Sequence, residues 1–209
     1  MTLRAIQLLP SLLLLLAAAC SPQPIDLAST PTESAAGLAA RGSPYDSTRV
    51  PLGTEEARIC YSRPSAKGRV VFGGLVPFDT LWRTGANEPT IIHLPVAAAI
   101  AGLPVTAGHY ALYTVPSQGA WTLVVNASTS QWGLTADAVF PDGTVIPNSY
   151  TDEVRAREVG RVPVMVDSIA PVEQFTIRAE PAGSGAVVRL EWATTRVSIP
   201  ITPTPAAAP

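Results

Sequence analysis

Apolar side chains recur at every second position through most of this chain, and that period of two restricts it to strands. Val188, Leu190 and Trp192 alternate with Arg189 and Glu191, and Phe175, Ile177 and Ala179 are spaced the same way. Successive side chains of an extended chain point to opposite sides, so such runs make half-buried antiparallel strands. Comparable runs fall at residues 57–61, 90–94, 96–100, 103–105, 109–115, 121–126 and 162–166. Turns rich in Gly and Pro separate them at intervals of about 8–12 residues. Ala101-Gly102 reads as the tip of a hairpin, 181–185 as a hairpin loop, and Asp142-Gly143 as a tight turn. Only residues 150–159 have helix-like content. The expected fold is all-β: an antiparallel β-sandwich or jelly-roll-like barrel with at most one short helix.

With 209 residues the chain has room for one such core plus segments outside it. Its net charge of −2 excludes nucleic acid as a partner, because displacing counterions needs a strong basic field.

The N-terminus reads as a targeting segment, residues 1–19. Arg4 supplies the positive charge and 6–16 is an apolar run, shorter than the roughly 20 residues a spanning helix needs. Ala17-Ala18-Ala19-Cys20 then resembles a bacterial lipoprotein signal, in which Cys20 carries the acyl chains (palmitate among them). An ordinary secretory signal cleaved near Ala19 is the alternative. The anchor reading places the domain in the bacterial cell envelope, on the periplasmic or cell-surface side. Residues 20–54 are rich in Pro, Ser, Thr, Ala and Gly and read as a flexible tether with a reach of about 30 Å. The β-domain is expected over 55–201, with a proline-spaced tail at 202–209. Cys60 lies in an alternating apolar run and reads as a small buried side chain.

Signatures of catalysis, of a cofactor and of a metal site are missing: no G-x-S-x-G, H-E-x-x-H, Walker-type or C-x-x-C pattern occurs. His93 and His109, the only two histidines, lie on different expected strands with no third ligand at short spacing. Glu55-Glu56 and Asp152-Glu153 are adjacent, so in extended chain their carboxylates point apart.

That leaves residues 61–88, where cations, glycines and a tryptophan are concentrated. Arginine offers a planar fork of donors for carboxylate, phosphate or sugar hydroxyls, and aromatic rings offer stacking faces. The candidate ligand-binding residues are Tyr61, Arg63, Lys67, Arg69, Trp82, Arg83, Asn87 and Glu88. A sugar or an anionic small molecule is the ligand class this set suits. The same residues also suit a scaffold in which Arg83 pairs with Glu88 and Trp82 is core. A hydrolase with Glu88 as base and Arg83 stabilising negative charge is the enzymatic alternative.

The same stretch resembles the bacterial family called domain of unknown function 2911. The resemblance is carried by Tyr61-Ser62-Arg63-Pro64-Ser65, Lys67-Gly68-Arg69, Phe72-Gly73-Gly74-Leu75-Val76-Pro77 and Trp82-Arg83-Thr84-Gly85-Ala86-Asn87-Glu88. It continues through Ala107-Gly108, Trp121-Thr122, Trp132-Gly133 and Leu190-Glu191-Trp192. The resemblance implies a secreted or lipid-anchored β-domain and brings no activity with it.

Overall fold

The computed structural model describes residues 33–135, 137–139, 144–146 and 148–204. Helix α1 (Ala35–Ala40) leads into strands β1 (Tyr45–Leu52) and β2 (Glu55–Ser62). After the long 63–89 connection come β3 (Thr90–Leu94), β4 (Ala98–Ile100), β5 (Leu103–Val105), β6 (Gly108–Val115) and β7 (Trp121–Asn126). Two-residue strands β8 (Ala138–Val139) and β9 (Val145–Ile146) pair with each other, and α2 (Asp152–Arg155) follows. Two long strands, β10 (Glu158–Ala182) and β11 (Gly185–Pro203), end the fold.

The nine main strands form one antiparallel sheet in the order β1-β2-β3-β6-β7-β10-β11-β4-β5. It is an all-β fold whose sheet turns over on itself. The corner lies where the β10–β11 register slips on both sides of Val172, opposite Ala193 at φ 49°. An extra residue on one strand bends it and increases its twist. Beyond the corner β1 lies against β10 and β11: Thr48 Oγ1 donates to the Ile177 carbonyl at 2.7 Å, and Gly53 N to Ser184 O at 2.6 Å.

The enclosed core is strongly aromatic. Trp82 stacks on Trp192 with centroids 5.7 Å apart, and Phe72 and Phe175 meet both rings edge-on. A second apolar cluster, Ile91, Ala111, Tyr113, Val124, Tyr150 and Val154, covers the opposite face of β3, β6 and β7. Those strands are therefore buried on both faces, and all five residues of β3 are buried.

Residues 35–40 and 45–52, expected within the 20–54 tether, are α1 and β1. Val50 and Leu52 are fully buried there, and antiparallel pairing with β2 satisfies the backbone whatever the side chains. The described residues hold two short helices rather than one; α1 is capped by the Ser34 hydroxyl, which accepts from Gly37 N at 3.1 Å. Three expected strands at 162–166, 174–179 and 187–192 are stretches of two continuous ones. Residues 69–72, which can form a short strand by their sequence, instead lead into a turn closed by Leu75 N to Val70 O at 2.9 Å. Thr202 and Pro203, assigned to the tail, pair with Ala99 and Ala98 of β4. The expected turn at Asp142-Gly143, the signal segment, Cys20 and residues 205–209 lie outside the described residues.

Candidate functional site

The site is built on the loop 82–90, which closes one wall of the aromatic core. Trp82 N donates to Thr114 O at 2.7 Å, and Thr114 N donates back to Trp82 O at 2.9 Å, which ties the loop to β6. The Trp82 indole donates to Gly85 O at 3.0 Å. Thr84 and Asn87 both adopt left-handed backbone, φ 57° and 62°. At Gly85 a Cβ would lie 3.0 Å from the Ser62 carbonyl oxygen, so the loop packs directly on the β2 backbone. Thr90 N donates to Arg83 O at 3.1 Å, and Thr90 Oγ1 donates to Thr84 O at 2.6 Å. These bonds consume the polar groups around Arg83 without using its side chain.

Arg83, Trp82 and Arg69 line one cavity of about 490 Å³. Leu75, Val76, Leu81, Leu134 and Trp192 supply apolar wall, and Ser43, Thr80 and Thr135 supply hydroxyls. Arg83 Nε is buried and has no hydrogen-bond partner among the described residues. Burial pushes the Arg83 pKa down, and the charge of Glu88 pushes it back up. A guanidinium nonetheless stays protonated in proteins, so the cavity holds a half-buried positive charge whose Nε lacks a partner among the described residues. Arg69 forms no ion pair among the described residues either; its Nε and Nη2 donate to the carbonyls of Ala66 and Ser65 at 2.9 and 2.7 Å. Asp137 is the one acid lining the cavity among the described residues, so two guanidiniums against one carboxylate leave it net positive.

Two further features are polar, with side chains that bond one another. His93 and His109 are cross-strand neighbours on β3 and β6, with their Nδ1 atoms 2.6 Å apart. Among the described residues no group of three or more His, Cys, Asp or Glu is arranged to hold a metal. A second cavity of about 570 Å³ is rimmed by Ser128, Ser130, Ser149, Thr151, Glu153 and Arg157. Its polar side chains largely bond one another, as Ser128 with Ser130 and Thr151 with Glu153.

The model of a family described as "Protein of unknown function (DUF2911)" matches residues 43–201, from just before β1 almost to the end of β11. The chain belongs to the DUF2911 family. No curated protein and no solved structure is significantly similar to it. Family membership carries no activity here, so function rests on the site.

Within this DUF2911 domain the eight sequence candidates separate. Arg69, Trp82 and Arg83 come together in the cavity. Tyr61 is core, its hydroxyl accepting from Ile177 N at 2.9 Å. Arg63 staples β1 to β10, donating to Asp46 Oδ2, Phe175 O and Thr176 Oγ1 at 3.0–3.1 Å. Lys67 is exposed at a left-handed turn position, φ 51°. Asn87 serves through its backbone, its carbonyl accepting from Gly133 N at 2.9 Å. The expected Arg83–Glu88 pair is not formed. Glu88 is 8% exposed, and Arg41 Nη1 donates to both of its carboxylate oxygens at 2.9 and 3.0 Å. A carboxylate engaged and covered in this way lacks the open cleft that a general base requires. Sequence reasoning missed Arg41, Ser43 and Thr135, which are isolated in polar stretches and carry no motif.

Proposed function

We propose that this DUF2911 protein is a lipid-anchored binding module of the bacterial cell envelope, held at the membrane through Cys20, that takes a small anionic ligand in the Arg83 cavity. The observation that carries the ligand reading is the Arg83 guanidinium, whose buried Nε has no partner in a net-positive cavity. An unpaired buried donor costs about 1–3 kcal/mol, more when charged, and an incoming carboxylate or phosphate would recover that cost. The apolar walls from Trp82, Leu75 and Leu134 favour an anion that carries a flat or aliphatic body. The anchor is supported by the apolar run and small residues ahead of Cys20, and by the short polar segment between it and β1.

The test is calorimetric titration of the full chain in detergent micelles with benzoate and inorganic phosphate, against neutral benzyl alcohol. Both anions should bind, the alcohol should not, and Arg83→Met should lose anion binding while keeping a cooperative melting transition. Equal binding to wild type and Arg83→Met, or none to either, would remove this cavity as the site.

A further inference from the structure

Two guanidiniums feel one carboxylate: Arg41 is bonded to Glu88, and the Glu88 charge also acts on Arg83. Glu88 lies five positions after Arg83 on the same short loop. The loop is drawn together by the Thr90 N to Arg83 O bond. Yet Glu88 gives both oxygens to Arg41, with side chains only 15% and 11% exposed. Arg41 is itself held in place: its Nε donates to Glu33 Oε2 at 2.8 Å, and its guanidinium lies 5.9 Å from the Trp132 ring centroid. Arg41 precedes the family match at 43–201, whereas Glu88 and Arg83 lie within it. A residue from the connecting segment therefore settles the charge balance inside the domain.

We infer that Arg41 is a positioning residue that keeps Arg83 open to an anion, by holding Glu88 away from it. The inference rests on the Arg83 cavity being the ligand site. Without Arg41, Glu88 is a nearly buried carboxylate that needs a cation, and a buried charge without a partner is strongly unfavourable. Arg83 is the cation on its own loop. Once paired with Glu88, Arg83 would be neutralised, and an external anion would have to displace an internal one. Ser43, two residues beyond Arg41, lines the cavity, so the same docked segment also forms part of its wall.

Benzoate titration of the full chain tests this with three variants. Arg41→Ala should weaken benzoate by about tenfold or more, the worth of one charge-assisted hydrogen bond. Arg41→Lys should bind close to wild type. Arg41→Ala combined with Glu88→Gln should recover most of the affinity, because a neutral amide does not neutralise Arg83. Wild-type affinity in Arg41→Ala, or no recovery in the double variant, overturns the inference while leaving the cavity as the site. A ligand-independent readout decides the same point should the cavity bind no anion. Arg83→Met should leave the melting temperature unchanged or raised in the wild-type background and lower it in the Arg41→Ala background. An equal shift in both backgrounds shows that Glu88 does not turn to Arg83, and the inference falls.

Discussion

Arg41 Nη1 donates to both carboxylate oxygens of Glu88, at 2.9 and 3.0 Å, and so joins the segment before β1 to the loop that carries Arg83. This contact fastens residues 33–44 to the domain, and it makes the Arg41–Gly42 peptide bond a reporter. In Glu88→Ala the segment should detach, and trypsin should cut after Arg41 severalfold faster than in wild type. Mass spectrometry of timed digests measures the rate; an unchanged rate would mean that Glu33 and Trp132 hold the segment without Glu88.

Tyr61 and Ile177 join the two layers through the Tyr61 hydroxyl, which accepts from Ile177 N at 2.9 Å. Tyr61→Phe leaves that buried backbone N–H without its partner. The expected loss is about 1–2 kcal/mol in urea denaturation, with the m-value unchanged. Wild-type stability in this variant would show that another acceptor replaces the hydroxyl.

His93 makes the fold sensitive to acid. Burial, then the charges of His109 on β6 and Arg58 on β2, hold its pKa down at about 4, against 6.5 for a free histidine. The folded ring stays neutral while the unfolded ring takes a proton, so the stability it contributes is complete above pH 6.5. That contribution is lost as pH falls from 6.5 to about 4, and amounts to roughly 3 kcal/mol at about 1.4 kcal/mol per pH unit. Urea midpoints across this window should fall less steeply for His93→Gln than for wild type. Parallel slopes would assign the acid sensitivity to the carboxylates instead.

The proposed anchor has its own test. Cys20→Ser should abolish incorporation of labelled palmitate and move the protein from the membrane fraction to the soluble one. Retention on membranes without label would mean that the apolar run 6–16 is itself the anchor.

Local patterning made β3 and β7 legible to the residue, since Thr90–Leu94 and Trp121–Asn126 are compact apolar runs between turn residues. The 101–102 hairpin was legible for the same reason, with Ala101 and Gly102 at φ 47° and 83°. Strand β10 does not look continuous in sequence, because Pro163, Pro171 and Pro181 have the character of breakers. Pro171 falls where the register slips, so no ladder hydrogen bond is lost there. Strand β1 was hidden by its polar Tyr-Asp-Ser-Thr-Arg start, since only Val50 and Leu52 face the core.

The sequence by itself determined an all-β chain and the family it belongs to, and it singled out a stretch of which Arg69, Trp82 and Arg83 line one cavity. Those properties follow from period, turn chemistry and a contiguous motif, all of which are local. Which arginine holds Glu88, and which is left unbonded in the cavity, was decided only by the tertiary structure. Arg83 and Glu88 are close in the chain, yet Arg41, 47 positions from Glu88, takes the carboxylate. Proximity in sequence cannot fix a charge pairing when β1 and β3, paired on either side of β2, bring a second cation to the same acid.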